Sequence, residues 1–299
     1  KETEVASQLG RLLKEQKIRA KKVIVGLSGL HCLTRPVILP QLPKAMLAEA
    51  VTREAKRLLP VPPEQLYISW QALPAPKGKM HIFLVAIPRR SVDALLKMLN
   101  QVKLTPYIMG IKPLSLTRLV KEATAIIVDV QPTEFDIVIM VDGIPQPIRT
   151  VPFPNEKLSW EKKLSIIVSD LDKTINFYNS KSSDAPLNSS VPIYVSGEIA
   201  DRPKLCQSLS DKLGNPVLHL VSALQSNRPF DSSRYLVNIG LALQEPSLGK
   251  VAGPTVAKAN LLPDNYRPKP ISWVKVVALP TAIAIVGLVI PLAMLISDT

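Results

Sequence analysis

Cysteine and histidine are scarce, at two and three residues in a chain of 299. Cys32 and Cys206 lie far apart with no Cys-x-x-Cys spacing. That excludes a disulfide scaffold and fits a reduced compartment. His31, His81 and His219 are scattered, with no His-x-x-x-His or His-Glu-x-x-His pair, so no metal site is expected. Aromatic residues make up 5% of the chain and nowhere interleave with Lys or Arg, which argues against a single-strand nucleic-acid binder. No Ser/His/Asp arrangement or paired acidic motif suggests a hydrolytic reaction, and the chain is not expected to be an enzyme. Charge itself is missing from one place: Val276 to Ile296 has no ionisable side chain over 21 residues.

That gap is the most informative feature of the chain. A helix of this length would be about 32 Å long, enough to cross a hydrocarbon core of roughly 30 Å. Trp273 and Lys275 suit the headgroup zone as anchors, with Arg267 and Lys269 upstream and only Asp298 downstream. The positive-inside bias then keeps the preceding residues cytoplasmic, which makes this a single-pass protein. Pro280 and Pro291 are tolerable in such a helix where neighbours satisfy the freed carbonyls. The formal charge of +13 fits a chain held beside acidic lipid.

Apolar residues account for 46% of the chain, enough for a real core. Val5 to Glu15 has a helical stripe, followed by a basic run and an apolar strand at Lys22–Ser28. Pro43 opens a helix to Leu58 that ends against Pro60, Pro62 and Pro63. Strands are expected at Leu66–Leu73 and Met80–Ile87, the second with its apolar run buried on both faces. A helix capped by Ser91 runs to about Val102. A short helix at Leu114–Glu122 follows, then strands at Ala125–Val130, Phe135–Val141 and Pro147–Val151, with Asp142-Gly143 as a hairpin signal. Ser159 precedes a helix to Asn179. A strand (Pro192–Ser196), a helix (Pro203–Leu213), a strand (Pro216–Val221) and a helix near Tyr235–Leu243 complete the pattern. Five prolines, at 246, 254, 263, 268 and 270, mark residues 246–272 as an extended linker.

The order of these elements resembles the PilM family of type IV pilus assembly proteins over roughly residues 5–245. The likeness is carried by Lys22-Val-Ile-Val-Gly-Leu-Ser-Gly29, Glu54-Ala55 with Leu59-Pro60, Ile68–Leu73, Val85-Ala86-Ile87-Pro88-Arg89 and Ile239-Gly240-Leu241-Ala242-Leu243. It implies an actin-like (ribonuclease H-like) α/β fold of two lobes from residues 1–20 and 106–245. Residues 21–105 would be an inserted small α+β subdomain, and 273–296 the transmembrane helix. The chain starts without Met inside a helical stripe, so an N-terminal truncation is expected.

The linker adds a second resemblance. Asn260-Leu261-Leu262-Pro263 is similar to the cytoplasmic leader of PilN, which docks such a segment into a groove of PilM. Two leucines offer about 1.5–3 kcal/mol each when fully buried. Pro263 lowers the ordering cost, and Asn260 offers a donor and an acceptor. Receptor and ligand segment would then share one chain, at an effective concentration on the order of millimolar.

Actin-like domains hold ATP with its Mg between lobes. The resemblance places the weakly matching contacts at Asp129, Thr133, Ser196 and Gly197. Gln131 and Pro132 stand where glycine and an amide donor would face phosphate, and Glu198 follows Gly197. ATP binding is therefore possible and hydrolysis is not expected. The resulting expectation is an adaptor in the inner-membrane platform of a bacterial type IV pilus machine. It would meet PilN- and PilO-like proteins and a cytoplasmic motor. The alternatives are an ATP-binding regulator of assembly and a GspL-like component of a type II secretion system.

Overall fold

The structure, a computed structural model, describes residues 2–74, 78–182, 186–222, 230–245 and 260–267. Lys1–Pro263 forms one compact unit and Asp264–Thr299 another. Of the second, Asp264–Arg267 is described, a turn closed by an ion pair between those two residues at 2.9 Å. Among the described residues no helix is long and apolar enough to cross a membrane. Val276–Ile296, Trp273 and Lys275 lie outside the described residues.

The first unit opens with helix α1 (Glu2–Glu15) and strand β1 (Lys22–Leu27). Then come β2 (Leu33–Pro40), α2 (Lys44–Leu58), β3 (Leu66–Pro74), β4 (Lys79–Pro88) and α3 (Arg89–Gln101). The chain continues with β5 (Thr105–Ile111), α4 (Lys112–Leu116), β6 (Ala125–Val130), β7 (Glu134–Val141) and β8 (Ile144–Pro152). It closes with α5 (Trp160–Lys181), β9 (Ile193–Gly197), α6 (Pro203–Leu213), β10 (Val217–His219) and α7 (Leu236–Ala242).

The strands form three sheets: parallel β1-β5, antiparallel β2-β4-β3, and a five-stranded β10-β9-β6-β7-β8. The three-stranded sheet spans Leu33 to Pro88, inside the stretch 21–105 expected as an insertion. β1 leaves it to pair with β5, a strand the sequence pattern does not mark. A short apolar run reports burial but not which distant strand completes its ladder. β2 also escapes the pattern, because Arg35 and Pro36 interrupt its alternation; both are exposed on a sheet edge that tolerates them. Ser91 lies inside α3 rather than capping it, because Pro88 already sets the helix entry.

β4, β6 and β7 are buried on both faces, and each divides its side chains between two cores. On β4, Ile82, Leu84 and Ala86 pack under α2 with Leu47, Val51 and Ala55. Its alternate residues Phe83, Val85 and Ile87 meet Val92 and Leu96 of α3 and Met109 and Ile111 of β5. On β6 and β7, Ile126, Val128, Phe135 and Ile137 face α5 and α6, while Ile127, Val138 and Met140 face α4 and α7. The hairpin between β7 and β8 turns through Asp142 and Gly143 at φ 52° and 73°. Both left-handed values are what a two-residue type I′ turn needs.

Helix α7 lies against β1, β5 and α4 where side chains are absent. Gly26 and Gly110 face each other across the β1–β5 ladder. A Cβ at either would press on Leu241, at 2.7 and 3.2 Å. At Gly240 the fit is to backbone: a Cβ would sit 2.1 Å from the Ser115 carbonyl oxygen. Gly240→Ala is expected to cost about 3 kcal/mol, since backbone cannot yield as a side-chain tip does. The urea midpoint reads this, and an unchanged midpoint would show that α7 does not press on α4.

Candidate functional site

Two places on the first unit combine buried polar groups with residues singled out by sequence. The first is a groove on the outer edge of β5. Leu261 donates its backbone N–H to the Met109 carbonyl at 2.8 Å. Met109 returns its own N–H to Oδ1 of Asn260 at 3.0 Å, and the same oxygen accepts from Leu262 N–H at 3.0 Å. The Asn260 amide thus stands in for a strand carbonyl, and the segment acts as a one-residue addition to the sheet edge. Met109 is 0% exposed, so both of its backbone groups depend on these partners.

Side chains complete the seat. Leu261 and Leu262 are 2% and 0% exposed and join the cluster of Phe83, Val85, Val92, Met109, Ile111 and Leu114. Pro263 is buried as well. Residues 260–263 are therefore packed, not an extended tether; residues 264–267 of the expected linker are exposed, and 246–259 and 268–272 lie outside the described residues.

The second place gathers the ends of β1, β5, β6, β7, β8 and β9 around one ammonium. Lys112, the first residue of α4, places Nζ 2.8 Å from Asp136, 3.2 Å from Asp129 and 3.4 Å from Glu134. Each carboxylate also takes a neutral donor. Ser196 Oγ donates to Asp129 at 2.7 Å, and Gln131 Nε2 adds a bond at 3.0 Å. Ser28 Oγ donates to Glu134 at 2.9 Å, and Thr150 Oγ1 to Asp136. Burial alone would lower Lys112, but Asp136, Asp129 and Glu134 outweigh it and hold the ammonium above its ordinary range. Asp136 behaves differently: burial pushes it up to about 6, more than its share of Lys112 and Thr150 returns. Burial first, and then Asp136, raise the nearby Cys32 thiol to about 12, which leaves it un-ionised and a poor nucleophile.

The residues assigned to nucleotide only partly converge. Asp129 and Ser196 are joined, but their bond is internal and both are 1% exposed. Gly197 has φ 71° and lies against Val130, whose carbonyl oxygen would be 2.1 Å from an added Cβ, so a structural contact already requires this glycine. Thr133 is exposed, and its carbonyl accepts from Phe153 N–H at 2.8 Å. Gln131 turns its amide onto Asp129, and the Pro132 carbonyl accepts from Lys163 at 3.2 Å. Glu198 pairs with Lys163 at 3.6 Å. A phosphate within about 4 Å of one of these carboxylates would meet roughly 4 kcal/mol of repulsion at an effective dielectric near 20. ATP with its metal does not fit this set of residues. Among the described residues no group of His, Cys, Asp and Glu is arranged to hold a metal.

Sequence reasoning missed Lys112, Glu134, Asp136 and Met109. A signal exists for two of them: Lys112 and Asp136 are charges set inside otherwise apolar stretches, Ile108–Leu116 and Phe135–Val141. Such charges are rarely buried without partners. Nothing local marks Met109, whose role lies in its backbone.

The family model of the type IV pilus assembly protein PilM matches residues 1–146, just under half of the chain. No curated protein matches it. The PilM-PilN type IV pilus biogenesis complex contains a chain of the same fold, at a TM-score of 0.67 and 20% identity. That match covers 81% of this chain and 84% of that one. The cytoplasmic domain of EpsL, an inner-membrane component of the type II secretion system of Vibrio cholerae, scores 0.48 at 11% identity, covering 87% and 84%. A Bacteroides thetaiotaomicron protein with an actin-like ATPase fold scores 0.40 at 11% identity, covering 79% and 80%. Over residues 1–146 the chain is PilM-like, and its α/β fold is that of a chain in the PilM-PilN complex.

The Asp136 carboxyl should be visible in stability. The folded chain keeps its proton to about pH 6, whereas the unfolded chain releases it near 3.8. This contribution to stability is fully present below the lower value and is lost as pH rises through the upper one. Wild type is expected to lose on the order of 2–3 kcal/mol more than Asp136→Asn between about pH 4 and 7, read from urea midpoints. Parallel curves for the two proteins would place the titration elsewhere.

Proposed function

We propose that this chain is an adaptor of a type IV pilus assembly platform, whose actin-like unit holds its own PilN-like segment in cis. The observation that carries this reading is the seat of Asn260–Pro263: two buried leucines and three hydrogen bonds centred on Met109 and Asn260. The similarity in fold to a chain of a PilM-PilN complex supports it. In that complex two proteins associate, whereas here groove and segment belong to one polypeptide.

The adaptor reading gives the apolar run Val276–Ile296 a purpose, as the membrane anchor that follows the docked segment. The first unit would then stay at the cytoplasmic face of the inner membrane, within reach of PilN- and PilO-like proteins and a motor. Force or displacement felt at the anchor would reach the groove through the twelve residues 264–275. The role is mechanical connection rather than ATP-driven chemistry, in keeping with the internal bonds made by Asp129, Gln131 and Ser196.

Leu261→Ala with Leu262→Ala tests this directly. Losing most of two buried side chains is worth about 3–6 kcal/mol, or a factor of roughly 10² to 10⁴ in docking. Trypsin cleavage after Lys258 is expected to rise at least about a hundredfold, the low end of that range. The emptied groove should also take up a synthetic peptide of residues 258–264, which wild type should refuse. Unchanged cleavage together with no peptide uptake would sink cis docking.

A further inference from the structure

The poor fit of the cleft to a nucleotide has a positive counterpart. Around Lys112 stand three carboxylates and four neutral donors, supplied by the residue after β1, by β6 to β9 and by the turn after β6. Asp129 and Asp136 are each 1% exposed, and the side chain of Lys112 is 14% exposed. Asp129 and Ser196, two of the positions where the sequence resemblance places nucleotide contacts, lie in this cluster. Here every carboxylate has both a donor hydroxyl or amide and a share of one ammonium.

We propose that Lys112 is a tethered counter-cation that replaces a nucleotide and its metal, locking the β1–β5 pair to the five-stranded sheet through Asp129, Glu134 and Asp136. The lock is intramolecular and permanent, so the docking groove on β5 is held in shape whatever the nucleotide supply. Position in the chain supports this: Lys112 directly follows Ile111 of β5, three residues beyond Met109, which holds the segment. The cluster also turns the electrostatics of the cleft against polyphosphate, because three carboxylates face one ammonium.

Chemical rescue separates a positioned ammonium from a side chain that merely fills space. Lys112→Ala of the full chain in detergent micelles is expected to melt at least about 5 °C below wild type, as breaking a buried ion cluster does. Ethylammonium chloride at about 0.1 M should restore half or more of that loss. Sodium and tetramethylammonium chlorides at equal ionic strength should not, since neither donates a hydrogen bond. Wild type should move by less than about 1 °C in all three salts and with about 1 mM Mg-ATP. If Lys112→Ala does not fold, Lys112→Ala with Asp136→Asn takes its place, since it removes one buried charge along with the ammonium. A rise in the wild-type melting temperature with Mg-ATP, or rescue by ethylammonium no better than by sodium, would overturn the proposal. Neither outcome bears on peptide uptake by the groove, so this test and the docking test fail independently.

Discussion

A buried strand must have its backbone satisfied on both edges, and β5 meets this demand in an unusual way. One edge pairs in parallel with β1. The other, at Met109, is completed by Asn260 and Leu261, which come from about 150 residues later in the chain. The same strand is covered by Leu241 across Gly110 and runs directly into Lys112. Segment docking, helix packing and the charged cleft all converge on seven residues, Thr105–Ile111.

The neighbouring elements make that strand rigid. β4 divides its side chains between two cores, one beneath α2 and one shared with α3, β5 and the docked leucines. Leu261 and Leu262 are therefore not surface decorations on a finished domain; they are members of a core. An apolar anchor of this kind is strong because it removes its area from water. It is specific because Asn260 must also meet one backbone N–H of Met109 and one of its own turn.

The Lys112 cluster needs a different accounting. Desolvating an ammonium and three carboxylates costs much of what their attraction returns, so the cluster is weak evidence for added stability. Its consequence is geometric, since only one arrangement of the strand ends satisfies every charge. Asp136 shows the strain of the compromise, because its proton is held well above the usual carboxylate range.

Much of the architecture was legible in the sequence. The 3.6 and 2.0 periodicities mark most helices and strands, Asp142-Gly143 the hairpin, and the continuous apolar run Ile82–Ile87 a strand buried twice over. Asn260-Leu261-Leu262-Pro263 stood out by its resemblance to the PilN leader. What only the tertiary structure decided is partnership: that β1 joins β5, that Met109 receives the segment, and that Lys112 meets Asp129, Glu134 and Asp136. Local pattern records whether a residue is buried. Which distant group satisfies it depends on packing between elements far apart in the chain, and no short window of sequence contains that information.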